Sequence, residues 1–250
     1  TATTGIYTLS LHDALPISNA SKDKFLSIIA HDLKSPLAAL RSMLDLLNAD
    51  LSDFSESDIK EIIGEMDNSA KNVFDLLEDL LSWSRAQTGK IQFNPDNIDM
   101  KMIIDNTISL MKHSADKKSI NLYSGVGDSV VCYADANMIS AVLRNLVSNA
   151  IKFTMPAGEV AVRMANHDTF VEFSVSDTGI GISEENLEKL FKIDSHLTTL
   201  GTSQEKGTGL GLILCKEFIE ANDGKIMVES RQGRGSSFKF TLPKANNGNH

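Results

Sequence analysis

His31 and Asp32, in the run FLSIIAHDLKSPL, form the first group with the types and spacing for chemistry. A neutral imidazole can take a phosphoryl group on one ring nitrogen, provided the proton on the other is held or removed. Asp32 is placed to do that as general base or orienting partner. Alone, a His-Asp pair on a helix is more often a solvated pair. SLHDALP at His12 repeats the dipeptide with no helical seam around it and is assigned no role.

A second group lies in NLVSNAIKFT, where Asn145 and Asn149 fall four residues apart on one helix face with Lys152 close by. Amide oxygens suit a hard Mg²⁺ ion, which keeps several waters and is otherwise held by nucleotide phosphates. Lys152 would supply charge near those phosphates. Exposed helix residues are the competing account. DTGIGI follows the strand-like FVEFSVS and puts Asp177, Gly179 and Gly181 on the loop that leaves it. Glycines there permit close approach of a ligand, and the carboxylate can accept from an adenine amino group. The same string also occurs in turns that bind nothing. KGTGLGL places Gly207, Gly209 and Gly211 before an apolar helix, where backbone N–H groups can cradle phosphate. A Rossmann fingerprint fits poorly, because no strand directly precedes this loop and no βαβ unit surrounds it. Between the two loops, LFKIDSHLTTLGTSQEK reads as a mobile lid from which His196 and Lys206 could reach phosphate, or as solvated loop.

Two kinds of element must position these residues. Leu33, Leu37, Leu40, Leu44, Leu47 and Leu51 recur at steps of four and three, a heptad stripe on a helix from Asn19 to about Leu51. Pro36 falls inside it and should kink it just after His31. LSDFSESD reads as a turn and N-cap, and a second helix from about Glu56 to Thr88 carries Ile59, Ile63, Met66, Ala70, Val73, Leu77, Leu80 and Ser84 on one face. One hairpin cannot bury both seams, so pairing into a four-helix bundle predicts a homodimer. After Gly89, strand-like runs alternate with helices over Met100–Asp116, Ala136–Phe153 and Leu210–Asn222. Ile139, Val142, Leu143, Leu146, Val147 and Ile151 would pack on one side of a mixed sheet. The expected class is α+β: a helical hairpin over 19–90, an α/β sandwich over 91–245, and a frayed tail over 246–250. The hinge is expected near Arg85–Lys90.

At 250 residues the chain suits two domains. A net charge of −9 argues against a nucleic-acid partner, which needs clustered Lys and Arg. Cys132 and Cys215, the only cysteines, have neither disulfide nor zinc spacing and read as buried thiols. No run approaches the ~18 apolar residues of a membrane span, so no membrane contact is expected of this fragment. The first Met is Met43, which suggests a cytoplasmic piece of a longer parent, anchored or not through segments out of view. Residues 1–18 show no helical period, resemble a translated adapter read-through, and are expected to be non-native or unpacked.

In order and separation, FLSIIAHDLKSPL, NLVSNAIKFT, DTGIGI, LFKI and GTGLGL resemble the H, N, G1, F and G2 boxes of sensor histidine kinases, over about residues 20–243. The resemblance implies a dimerisation and histidine-phosphotransfer hairpin joined to a Bergerat (GHKL) ATP-binding fold, with ATP and Mg²⁺ as cofactors. It makes His31 the phosphoacceptor, Asp32 its acidic neighbour and Asn149 the main Mg²⁺ ligand. Asn145 becomes its partner, Lys152 a phosphate contact and Asp177 the adenine-reading carboxylate. Gly179, Gly181, Gly207, Thr208, Gly209, Leu210 and Gly211 shape the pocket. The phosphohistidine would pass its group to an Asp of a response-regulator receiver domain.

Two positions depart from the pattern. Ser35 stands where relatives with phosphatase activity often carry Thr or Asn, although a serine hydroxyl can still orient water. The F box is reduced to LFKI. GTSQEKGTGLGLILCKEFIEANDGKIMVES also looks like kinases followed by a receiver domain on the same chain, so a hybrid parent stays open. Two rivals remain. A GHKL-type ATPase would leave His31 unused, and a dimerisation scaffold would not bind ATP.

Overall fold

The structure is a computed structural model that describes residues 5–8, 19–49, 54–87, 93–191, 199–203, 205 and 209–245. It divides into two compact units, one over Pro16–Lys90 and one over Ile91–His250 that takes in the strand Gly5–Thr8.

The first unit is a hairpin of α1 (Asn19–Ala49), with Pro36 inside it, and α2 (Glu56–Gln87). Ser55 starts α2 through a reciprocal cap: its Oγ accepts from Asp58 N at 3.2 Å while Asp58 Oδ2 accepts from Ser55 N at 2.9 Å. The heptad stripes split into two sets. Leu33, Leu40 and Leu47 are half-buried, as are Ile59, Met66, Val73 and Leu80. The alternate positions face outward, with Leu37 51% and Ile63 55% exposed, and Leu44 and Leu77 exposed as well. One seam is closed within the hairpin and the other is open.

The second unit is a two-layer sandwich. Its main sheet runs β1 (Gly5–Thr8), β7 (Ile226–Ser230), β8 (Ser236–Pro243), β6 (Phe170–Asp177), β5 (Glu159–Asn166), β3 (Asn121–Ser124). Among the described residues only β3 and β5 pair in parallel. β2 (Asp96–Asp99) and β4 (Val131–Ala134) make a small antiparallel sheet. Burial alternates along the strands. Val171, Phe173 and Val175 on β6, and Phe238, Phe240 and Leu242 on β8, point into the core. Glu172, Ser174, Ser176, Lys239 and Thr241 line the opposite face. Helices α3 (Met100–Lys117), α4 (Ala136–Phe153) and α6 (Gly211–Ala221) cover the apolar side, and α5 (Glu184–Leu187) is a single turn.

Cys132 and Cys215 are both buried free thiols, and burial pushes Cys132 up to about 12, so it stays protonated. Among the described residues no helix is long and apolar enough to cross a membrane.

Within residues 1–18, expected to be non-native or unpacked, Gly5–Thr8 departs from the unpacked reading: it forms β1, antiparallel to β7 with Gly5 opposite Ser230 and Thr8 opposite Met227. The cause is local: the edge of β7 exposes a row of N–H and C=O groups that an extended Ile-Tyr-Thr segment can satisfy. Residues 9–18, the start of the hinge's far side at 88–92, and the tail at 246–250 lie outside the described residues.

Candidate functional site

Helix α4 starts from a buried cap. Asp135 Oδ1 accepts from Asn137 N at 2.9 Å and Met138 N at 3.1 Å, while Asn222 Oδ1 receives Asp135 N at 2.7 Å. That fixes the rotation of the helix, and all six residues expected to pack, Ile139 to Ile151, are buried. Asn145, Asn149 and Lys152 then fall on one half-exposed stripe beside the buried one. Asn149 Nδ2 donates to Asn145 Oδ1 at 2.9 Å. The amide oxygen of Asn149 is left without a partner among the described residues.

Asp177 ends β6. Its Oδ1 accepts from Gly179 N at 2.8 Å and Ser236 N at 3.2 Å, and no bond to Oδ2 is found among the described residues. Burial pushes this carboxyl above its ordinary value, and the two backbone donors oppose that shift. The loop after it is held from two sides: Ile180 N donates to Phe153 O at 3.1 Å, and Gly233 N to Ile180 O at 2.7 Å. Gly181 has φ +66°, and a Cβ there would collide with Arg231 O, so this turn requires glycine.

Leu210 is buried and precedes α6, which begins at Gly211; Gly209 takes φ +69° just before it. Gly211 packs directly on the Asn145 amide, where an added Cβ would overlap Nδ2. Gly211→Ala therefore gains helix propensity but displaces Asn145. For the nucleotide that the box resemblance implies, affinity measured by titration calorimetry should fall about tenfold with thermal stability little changed. Equal affinity would show that the amide relocates freely.

The remaining expected residues divide as follows. Gly207, Thr208, Lys206 and His196 lie outside the described residues. His31 and Asp32 are on α1, five and four residues before Pro36, and only their helical backbone is described. Ser35 is exposed on the same helix. Asn145, Asn149, Lys152, Asp177, Gly179, Gly181, Gly209, Leu210 and Gly211 all belong to the sandwich unit. Two contributors were missed. Ser236 supplies the second donor to Asp177, and Ser230 Oγ accepts from Ile182 N at 2.9 Å. Their only signal was the glycine-rich turn RQGRGSS between two strands.

Both implied ligands can be tested against these residues. A half-buried carboxylate with one oxygen immobilised and one open matches an amino donor such as that of adenine. Among the described residues no cluster of three His, Cys, Asp or Glu could hold a metal unaided. A single free amide oxygen at Asn149 suits an ion bound mainly through water and phosphate, as Mg²⁺ is.

Known proteins match this arrangement. The family described as Histidine kinase-, DNA gyrase B-, and HSP90-like ATPase matches residues 134–246, and the His Kinase A (phospho-acceptor) domain matches residues 21–89. The circadian input-output histidine kinase CikA of Synechococcus elongatus is 33% identical over 244 residues, covering 95% of this chain and 32% of that protein. The catalytic domain of histidine kinase ThkA is 33% identical with TM-score 0.52, over 62% of this chain and 97% of that one. ThkA in complex with response regulator protein TrrA has TM-score 0.70 at 24% identity, over 88% of this chain and 61% of that one, a likeness of fold. The chain spans 27% to 59% of the length of the first three curated relatives it matches. With a phosphoacceptor hairpin and a histidine-kinase ATPase fold matched in succession on one chain, it belongs to the sensor histidine kinase family.

Proposed function

We propose that the chain binds Mg·ATP in the sandwich unit, transfers the γ-phosphoryl group to His31, and passes it on to an aspartate of a response-regulator receiver domain. The observation that carries this reading is Asp177, immobilised through Oδ1 with Oδ2 open, on a loop bonded to the end of the helix that bears Asn145, Asn149 and Lys152. A half-buried carboxylate with one oxygen held by the backbone and the other open is ready to accept from a ligand amino group.

Each residue has a defined task. Asp177 accepts from the adenine amino group, the Asn149 amide oxygen holds the Mg²⁺ ion, and Asn145 orients Asn149 through the 2.9 Å bond. The ion, when bound, neutralises phosphate charge. Lys152 adds a further positive charge, and Gly209, Leu210 and Gly211, with Gly207 and Thr208, present the start of α6 to the phosphates. His31 attacks the γ-phosphorus as its bond to the β–γ bridging oxygen breaks and ADP leaves, while Asp32 holds the second ring proton, so catalysis is positioning and charge neutralisation. Ser35, exposed near His31, is available to orient a water for the reverse hydrolysis.

The open seam at Leu37, Leu44, Ile63 and Leu77 supports a homodimer, since a second hairpin would remove these side chains from water. The receiver-domain partner is supported by the fold shared with ThkA bound to TrrA.

The test is to incubate the chain with γ-labelled ATP. Acid-labile, base-stable label on the protein is expected, and chelation of Mg²⁺ should abolish it. Free phosphate without labelled protein would replace this reading with an ATPase, and absence of ATP binding would replace it with a scaffold.

A further inference from the structure

Lys118 follows α3, in a part of the sandwich that the tasks above leave unused. Its side chain is only 10% exposed, and its three N–H donors are all placed: Ile151 O at 3.0 Å, Lys152 O at 2.7 Å and Glu205 Oε1 at 2.9 Å. Two of these acceptors are last-turn carbonyls of α4, which lack helical partners and carry the negative end of the helix dipole. With no donor left over, Lys118 cannot itself bind a phosphate.

Its third acceptor ties in another segment. Glu205 Oε2 accepts from Ser203 N at 2.8 Å, and Glu205 O accepts from Gly201 N at 2.8 Å. Thr202 donates through N to Lys152 O at 3.0 Å and through Oγ1 to Thr154 O at 2.9 Å. Residues 201–203 and 205 are thus moored to the turn from which the Lys152 side chain departs. The Lys152 ammonium lies 4.9 Å from the Phe153 ring centroid. Burial pushes it below its ordinary value; Glu205 opposes this, whereas Lys118 adds to it.

We propose that Lys118 is a positioning residue for the nucleotide phosphates: through Glu205, which moors residues 201–203, and through the Lys152 carbonyl, it fixes where the Lys152 side chain leaves α4. This rests on the phosphate role proposed for Lys152.

The test uses the whole chain and Mg·ATP. Lys118→Met should raise the dissociation constant and KM for ATP about tenfold, while kcat at saturating ATP stays within about twofold. Glu205→Gln, at a side chain 38% exposed, should have the same effect. The double variant should bind no more weakly than either single one, as for two halves of one device. Lys118→Arg should recover affinity to within about threefold. Unchanged affinity in Glu205→Gln, or additive losses in the double variant, would overturn the proposal, as would lost thermal stability with KM unmoved. Failure of the unaltered chain to bind Mg·ATP would instead sink the underlying assignment.

Discussion

His31→Gln is expected to reduce acid-labile labelling from γ-labelled ATP by at least about a thousandfold while Mg·ATP affinity stays within about twofold. Glutamine matches histidine in length and is the better helix former, so α1 loses nothing in propensity. What it lacks is a nucleophilic ring nitrogen. The sandwich unit that holds every described residue proposed for ATP binding does not include residue 31, so binding and labelling should separate cleanly. Label that persisted in this variant would move the phosphoacceptor elsewhere. Mixing His31→Gln chains with Asn149→Ala chains extends the experiment, because label in the mixture alone requires transfer between protomers.

The second large effect is at Asp177. Asp177→Asn should weaken Mg·ATP binding by about 10- to 100-fold, since replacing a carboxylate acceptor by an amide costs about 1–3 kcal/mol when an N–H is turned toward the adenine amino group. The pH dependence follows from burial, which raises this carboxyl above its ordinary value. As pH falls through that raised value the carboxylate is protonated and stops accepting, so affinity should drop at a higher pH than an ordinary aspartate would produce. Stability without nucleotide moves the other way. A raised folded-state pKa means that the folded chain binds more protons than the unfolded one between the two values, and the contribution of Asp177 becomes more favourable as pH falls through that window. The asparagine variant should lack both steps and be no less stable without ligand, because Gly179 N and Ser236 N can still donate to its amide oxygen. Equal pH profiles for the two proteins, measured by calorimetric titration, would remove Asp177 from the adenine site.

The sequence by itself determined what depends on short-range periods. Apolar spacing of three and four residues located α1, α2, α3, α4 and α6 to within a few residues, and the strand-like run FVEFSVS located β6. The stripe of Asn145, Asn149 and Lys152 was legible for the same reason, as was Asp177 at a strand end before glycines. The partners that come from elements distant in the chain were not. Ser236 reaches Asp177 only because β8 pairs with β6, and Lys118 meets Glu205 across 87 positions. The heptads could not say which leucines face the sibling helix and which stay open, since both sets share one repeat; packing of α1 on α2 closed Leu33, Leu40 and Leu47 and left Leu37 and Leu44 exposed. β1 shows the same limit from the other side, a segment with no period of its own that takes its structure from the free edge of β7. Periodicity is written along the chain, whereas hydrogen-bond partners are set by which edges and helix ends the fold brings together.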